Sequence, residues 1–491
     1  ISNQLTQAAT TGNHLTQAPT TGNYLIQAPT PGNQLAEAPT TRNPVTGEKV
    51  SQVASASAED VNRALQAAQT ASNTYGQLSI NARKALIDEL IAKLKGDEAS
   101  IVDLLIQETG KTYDVASYDF NMLVDCLGYY VEEVKRHYAE TIPDYDGGHL
   151  NFLSYQPVGV VAGLLTWNFP LLNLGYKLGP ALASGCTSVF KISDKTPMAS
   201  MRVAELINEV AFPKGTVNLL CGRGKVVSDA MAGSTIPRLL TMIGSTFAGQ
   251  KLIEKSPTSV KRLSLELGGD APVLVFDDAD LDAAVADIVG LKLANAGQIC
   301  VAPNRVFVHR NIYSDFIDKA KVLMESYQYV GEQSSGPELS PVVSEEILNS
   351  LLGFCEPEVH KGTIVTGGKR ANRPGYFMQA TLIKDVARDS ALTCEEIFGP
   401  IMPVMPFDDD DDIFAIANDT EYGLSAYLYT QNLARALEAE RRLLFGNILI
   451  NEAYYSLQLP HGGLKQSGFG KDVSHLALDD YYDTKRISIK R

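Results

Sequence analysis

VGVVAGLL at 158–165 opens a series of short β-type runs that continues with CTSVFKI at 186–192, TVNLL at 216–220, LLTMI at 239–243 and RLSLEL at 262–267. They are largely apolar, as strands covered on both faces are, and the stretches between them are helix-compatible and about as long as a parallel crossover needs. The pattern predicts an α/β fold whose core is a βαβ series with a buried parallel sheet. Towards the C-terminus a second alternation follows, with a helix after Asp280, a strand at 304–309 and a helix near 313–327. That predicts a second α/β unit. Towards the N-terminus, Ser57 and Asp60 form a capping-box start, and Val61, Leu65 and Ala68 then recur at helical spacing. Leu86, Ile87, Leu90, Ile91 and Leu94 mark one side of a further helix. Two β-rich pieces, His149 to Gln156 and Arg486 to Lys490, stand outside both series. Such strands either extend a sheet across a subunit boundary or lie as solvated edges.

A chain of 491 residues exceeds the size at which one core keeps growing, so two or more domains are expected. With 45% hydrophobic and 20% charged residues it is too apolar to be a disordered chain. A net charge of -15 argues against a nucleic-acid partner, which would require a basic face. Cys126, Cys186, Cys221, Cys300, Cys355 and Cys394 include no CxxC pair, so they read as reduced thiols of an intracellular, cytoplasmic protein, and no metal is expected. No secretory signal opens the sequence. The uncharged run from Val158 to Tyr176 approaches the length of a membrane span, but Asn168 and Pro170 break it. It reads as strand, loop and helix start, and no membrane span is expected. Residues 1–42 carry a ten-residue repeat in which Asn3, Asn13, Asn23 and Asn33 are followed by Leu5, Leu15, Leu25 and Leu35. It has the composition of a low-complexity tail, with ordered patterning from about Asn43 onward.

Asn295-Ala-Gly-Gln-Ile-Cys300 places a cysteine after a Gly-Gln turn between a helix and a strand. Such a loop exposes sulfur to backbone amides, as an acyl-forming nucleophile needs, although cysteines buried as core filler are commoner. Glu266-Leu-Gly-Gly ends an apolar β run, where a carboxylate is costly unless it is paired or functional. A partly desolvated Glu there suits water activation; a strand-end carboxylate is the plainer alternative. Asn168 in Thr166-Trp167-Asn168-Phe169-Pro170 follows a strand and can donate to a developing oxyanion, or simply form a turn. No GxGxxG occurs. Gly244-Ser-Thr-Phe-Ala-Gly249 instead lies between a strand and a helix, where free amides can meet a pyrophosphate. Lys191-Ile-Ser-Asp194 ends another strand and offers an acid for a ribose, or a surface ion pair.

In order along the chain, NPVTGE (43–48), TWNFP (166–170), LGPALASGC (178–186), KISDKTP (191–197), GST (244–246), LELGG (265–269), GQIC (297–300), EEIFGP (395–400) and GGLKQSGFGKD (462–472) resemble the aldehyde dehydrogenase superfamily. The resemblance runs from about Asn43 to the C-terminus. It implies a Rossmann-like nicotinamide-binding domain at 43–139 and 158–267, a catalytic domain at 268–481, and a small β oligomerisation arm at 140–157 and 482–491. It further implies that Cys300 is the nucleophile, that Glu266 is the base for thioester hydrolysis, and that Asn168 and the Cys300 amide form the oxyanion hole. Lys177 and Asp472 match a proton relay, with Asp in place of the more usual Glu. Thr166, Trp167, Lys191, Ser193, Asp194, Gly224, Gly244, Ser245, Leu267, Gly268, Glu396 and Phe398 match cofactor-binding positions. Phe169, Asn173, Tyr176, Ile299, Val301 and His461 match the substrate tunnel, His461 standing where relatives often carry Phe.

The implied reaction is thiolate addition to an aldehyde, hydride loss to a nicotinamide cofactor, and hydrolysis of the thioester to a carboxylic acid. Relatives that transfer the acyl group to coenzyme A typically lack the glutamate present here at Glu266. Relatives specific for succinic semialdehyde carry arginines where Tyr176 and Ala294 stand, so an uncharged aliphatic or aromatic aldehyde is expected. Asp194 repels a 2′-phosphate and favours NAD, while its short side chain and Lys195 keep NADP open. The resemblance implies a homodimer or homotetramer. A crystallin-like structural recruit of the same fold is the alternative, but such recruits can lose the nucleophile, whereas Cys300, Glu266 and Asn168 are all retained.

Overall fold

A computed structural model describes residues 40–332 and 336–491. The repeat over 1–42 lies outside the described residues except for Thr40–Arg42. These three do not belong to a featureless tail: they form a strand that pairs antiparallel with Lys49–Gln52 across the NPVTGE turn. Order thus begins earlier than Asn43, because strand pairing satisfies backbone groups that composition does not reveal.

The five β runs become parallel strands Val160–Leu164, Thr187–Lys191, Val217–Leu220, Leu239–Ile243 and Arg262–Glu266. Across the sheet the order is 468–469, 262–266, 239–243, 160–164, 187–191, 217–220. The crossovers are helices Pro170–Ser184, Met198–Asn208, Gly224–Gly233 and Thr246–Lys255. The sixth strand, Gly468–Phe469, is antiparallel to Arg262–Glu266 and comes from far along the chain, inside the stretch assigned to the second unit. At Gly468 the backbone has φ +111°, and a Cβ would lie 2.0 Å from the Leu265 carbonyl oxygen. Only glycine lets this segment lie against Glu266.

The N-terminal helices pack beside this sheet. Ser57 caps Ala58–Tyr75 through a reciprocal box: Asp60 N–H donates to Ser57 Oγ at 3.2 Å, and Ser57 N–H donates to Asp60 Oδ2 at 2.9 Å. In Ile80–Gly96, Ile87, Leu90 and Leu94 are buried, with Leu86 and Ile91 partly buried against the same core.

A second sheet of seven strands is parallel except at one edge, in the order 363–366, 381–384, 401–407, 303–309, 271–275, 425–429, 447–450. Its helices include Leu281–Leu293, capped by Asp280, and Tyr313–Glu325. The architecture is therefore α/β with two parallel-sheet, Rossmann-like units. The two outlying β pieces pair with each other: Tyr482–Lys490 runs antiparallel to His149–Pro157, which also holds Thr141–Ile142. Among the described residues, no helix is long and apolar enough to cross a membrane. All six cysteines are free.

Candidate active site

Parallel strands place all their carboxyl ends on one edge, and the loops leaving that edge carry most of the expected residues. Thr166 to Phe169 leave Val160–Leu164, Lys191 to Asp194 leave Thr187–Lys191, Gly244 and Ser245 leave Leu239–Ile243, and Glu266 to Gly268 leave Arg262–Glu266. The second sheet faces this edge with the loops that enter its strands. Cys300 precedes Pro303–His309, and Glu396 and Phe398 precede Ile401–Phe407.

A cavity of about 660 Å³ lies between them and is lined by Cys300, Glu266, Asn168, Thr166, Trp167, Gly244, Ser245, Leu267, Gly268, Glu396 and Phe398. Phe169, Asn173, Tyr176, Ile299, Val301 and His461 line it as well. A second cavity of about 430 Å³ shares Tyr118, Tyr176, Tyr455 and His461 with the first.

The nucleophile loop is held tightly. Asn295, Ala296 and Gly297 all have positive φ (48°, 54° and 73°) after the helix Leu281–Leu293. Non-glycine residues adopt this region only when their surroundings fix it. Here Asn295 Nδ2 donates to the Asn168 carbonyl at 3.1 Å, Gln298 Nε2 donates to the Asn295 carbonyl at 2.8 Å, and Val343 N–H donates to Gln298 Oε1 at 2.9 Å. Asn168 Nδ2 donates to the Gln298 carbonyl at 3.0 Å, and Asn173 Nδ2 donates to Asn168 Oδ1 at 3.3 Å. Tyr427 OH donates to the Val301 carbonyl at 2.7 Å and meets Tyr455 OH at 2.7 Å. On the other side, a Cβ at Gly269 would lie 2.2 Å from the Cys300 carbonyl oxygen.

The Cys300 thiol donates to Glu266 Oε1 at 3.2 Å, and His461 Nε2 meets the same oxygen at 2.9 Å. Burial, together with the charge and hydrogen bond of Glu266, pushes the thiol well above the ordinary cysteine range. Burial alone would raise the Glu266 carboxyl too. The His461 charge and hydrogen bond, with Lys177 beyond, outweigh burial and hold it below the usual carboxylate range. Burial works against a charged His461, but Glu266 more than compensates and raises it. Behind Glu266, Lys177 pairs with Asp472, both almost fully buried. Burial and the nearby Glu266 push the Asp472 carboxyl up against the opposing pull of Lys177. Lys177, Asp472, Glu266 and Cys300 thus form a continuous chain of proton-holding groups, with His461 joined to it at Glu266.

The cofactor positions divide into two groups. Ser245 caps the helix Thr246–Lys255, its Oγ accepting from Ala248 N–H, at the cavity wall. Trp167 and Phe398 meet edge to face at 5.4 Å, and Gly269 N–H donates to Glu396 Oε1 at 2.9 Å. Burial raises the Glu396 carboxyl to about 7. A Cβ at Gly268 would come within 2.9 Å of Glu396 Oε2, so glycine keeps the groove between them open. Free amides at a helix start, a flat aromatic wall and a carboxylate fit a nicotinamide dinucleotide. Lys191, Ser193, Asp194 and Gly224 are not among the residues lining this cavity. They lie at the ends of the two neighbouring strands, with Lys191 Nζ 3.6 Å from Asp194 Oδ1 and Gly224 opening the helix Gly224–Gly233. Sequence reasoning missed Tyr118, Tyr427 and Tyr455 at the site, and it gave His461 no contact with Glu266.

The model of the aldehyde dehydrogenase family matches residues 31–487. The chain belongs to that family. As a member of it, the chain is an oxidoreductase that acts on aldehydes with NAD or NADP. It is 35% identical over 449 residues to a mitochondrial succinate-semialdehyde dehydrogenase of Arabidopsis thaliana, covering 91% of this chain and 85% of the relative. It is 33% identical over 449 residues to the NADP(+) succinate-semialdehyde dehydrogenase of Escherichia coli K12, covering 91% and 93%. The solved structure of an E. coli NADP-dependent enzyme superposes with a TM-score of 0.90 at 33% identity, over 93% of this chain and 95% of that one.

Proposed function

We propose that this aldehyde dehydrogenase oxidises an uncharged aliphatic or aromatic aldehyde and releases the carboxylic acid by hydrolysis. The observation that carries the reading is the 3.2 Å contact between Cys300 Sγ and Glu266 Oε1 inside a cavity that also holds Asn168. Glu266 takes the thiol proton as sulfur closes on the carbonyl carbon, and Asn168 Nδ2 donates to the oxygen that gains charge. When bound, the nicotinamide ring supplies the hydride acceptor that aldehyde oxidation requires. Once the acyl group sits on Cys300, Glu266 takes a proton from water, and Asp472 and Lys177 carry that proton away. Thr166, Trp167, Gly244, Ser245, Leu267, Gly268, Glu396 and Phe398 are proposed to hold the nicotinamide end and pyrophosphate. Lys191, Ser193, Asp194 and Gly224 are proposed to hold the adenosine end, with Asp194 favouring NAD.

Both relatives named above are succinate-semialdehyde dehydrogenases, which favours a distal carboxylate as a second reading. Against it, Tyr176 and Ala294 line the cavity, and among the described lining residues of the two cavities there is no lysine or arginine, while Asp114 and Glu452 are present. A substrate carboxylate would lose its hydration there with no lysine or arginine to replace it, and the His461 cation is already paired with Glu266. The test is an aldehyde panel that includes succinic semialdehyde, run with NAD and with NADP, alongside Cys300→Ala. The highest kcat/KM is expected for an uncharged aldehyde, with Cys300→Ala inactive. A highest kcat/KM for the semialdehyde would overturn the substrate assignment, and an active Cys300→Ala would overturn the mechanism.

The three-stranded sheet of 141–142, 149–157 and 482–490 is proposed as the arm of a homodimer or homotetramer. Its strand Tyr482–Lys490 offers an outer edge with no partner strand among the described residues.

A further inference from the structure

Cys300, Glu266 and His461 are three different kinds of ligand gathered at one point. Sγ, a carboxylate oxygen and a ring nitrogen lie within 4.8 Å of one another, with Glu266 Oε1 2.9 Å from His461 Nε2 and 3.2 Å from Cys300 Sγ. They come from three separate segments of chain. Glu266 ends a strand, Cys300 sits in the left-handed loop, and His461 is fixed by paired backbone hydrogen bonds to Asp472.

We infer that Cys300, Glu266 and His461 form a reversible inhibitory site for a thiophilic divalent cation of the zinc class. A tetrahedral zinc with metal–sulfur near 2.3 Å and metal–nitrogen or metal–oxygen near 2.1 Å sets its ligand atoms roughly 3.4 to 3.6 Å apart. The three atoms reach that spacing with side-chain shifts of about 1 Å or less, because the backbone already brings them to one cavity wall. One thiolate, one imidazole and one carboxylate select zinc or cadmium over magnesium or calcium, which take oxygen sets. The adjoining cavity of about 660 Å³ gives the ion a route in and leaves the fourth position to water. Binding breaks the S–H bond and forms a metal–sulfur bond. His461 Nε2 likewise gives up its N–H proton to ligate the metal, so two protons pass to solvent, and no electron changes hands. Among the described residues His461 Nδ1 has no hydrogen-bond partner, so the outer contact that usually fixes a ligand imidazole is lacking there. That makes the site one for transient occupancy and not a permanent structural centre. While it is occupied, the nucleophile and the base are both blocked.

The experiment uses the full chain after treatment with a chelator and does not depend on the substrate assignment. Cd²⁺ is titrated while the sulfur-to-metal charge-transfer absorption is followed, and Zn²⁺ is then added as competitor. Cys300→Ala is expected to remove one equivalent of the absorbing site. His461→Phe and His461→Asn, one apolar and one polar replacement, are each expected to weaken that equivalent by about tenfold or more, since a direct ligand counts for at least as much as an outer-shell one. Zn²⁺ is expected to stop aldehyde-dependent cofactor reduction, and EDTA to restore it fully. A titration unchanged by Cys300→Ala would overturn the proposal. So would parent-like binding in both His461 variants, or inhibition that a chelator does not reverse.

Discussion

His461 and Asp472 exchange both backbone hydrogen bonds of a two-residue bridge, at 2.8 and 2.6 Å, and the side chains of both act on the same carboxyl, Glu266. The bridge therefore sets the ionisation of the base from two sides. Against burial, the charge and hydrogen bond of His461 lower it most, and a hydrogen bond with Asp472 lowers it further.

The first prediction concerns pH. His461→Phe removes the charge and hydrogen bond that hold Glu266 down and leaves burial, which raises it. A general base works in its ionised form, so the acid limb of kcat/KM moves to higher pH in the variant. The stability side has the matching sign. A depressed carboxyl stabilises the fold above its ordinary value of 4.5, and that contribution is lost as pH falls through the lower folded value. His461→Phe accordingly loses this stabilisation at neutral pH, which thermal melts of parent and variant at pH 7 and at the folded value of about 2 check, the gap between them closing at the lower pH. An acid limb that stays put or moves down contradicts the argument.

Asn168 is placed for charge stabilisation by its neighbours and not by its own loop alone. One amide hydrogen is engaged with the Gln298 carbonyl at 3.0 Å, and the side chain lines the cavity beside Cys300. Asn168→Ala is expected to lower kcat by about 10²–10³-fold, the usual effect of losing one oxyanion donor. Asn168→Asp should be at least as damaging, because a carboxylate there opposes the forming negative charge. Steady-state kinetics on the best panel aldehyde decide it, and a kcat within a few-fold of the parent would remove Asn168 from the mechanism.

Gly269 and Cys300 touch through backbone alone. A methyl group at Gly269 would sit 2.2 Å from the Cys300 carbonyl oxygen, and backbone, unlike a flexible side chain, has nowhere to swing. Gly269→Ala must displace the nucleophile loop, and a misplacement of about 1 Å costs on the order of 10²-fold in rate. The far-ultraviolet circular dichroism should stay that of the parent while kcat falls by about this factor. Full activity in the alanine variant would mean that the loop is softer than its hydrogen bonds imply.

Much of this site was legible because its parts are local. The five β runs are dense enough in apolar residues to be read one by one, and the loops that leave them carry Asn168, Ser245 and Glu266 at strand ends. Cys300 stood out through its Gly-Gln turn. What was not legible depends on distant packing. The left-handed Ala296 has no sequence signal, since its conformation is imposed by the Asn295 and Gln298 hydrogen bonds. Glu266 and His461 lie 195 positions apart and meet because Gly468–Phe469 crosses to the first sheet and brings its segment over Glu266. The Tyr427–Tyr455 contact, likewise formed by tertiary packing, is silent in periodicity. The strand at Thr40–Arg42 was hidden by the repeat into which it runs.

The last prediction tests the proposed arm. Leu150 and Ile489 are cross-strand partners in the three-stranded sheet, and they are 38% and 51% exposed within the chain. Ile142, on the third strand, is 42% exposed, and its backbone partner is Asn151. Exposed apolar pairs beside an unpaired strand edge invite another strand, which soluble proteins ordinarily prevent with charge. Replacing both Leu150 and Ile489 by Lys puts like charges directly opposite each other and makes burial against a second copy unfavourable. Light scattering of Leu150→Lys/Ile489→Lys should give a smaller particle than the parent at the same concentration. The active-site residues lie on other elements, so the thiol reactivity of Cys300 should persist in the smaller species. A double variant that keeps the parent's mass would place the subunit contact elsewhere.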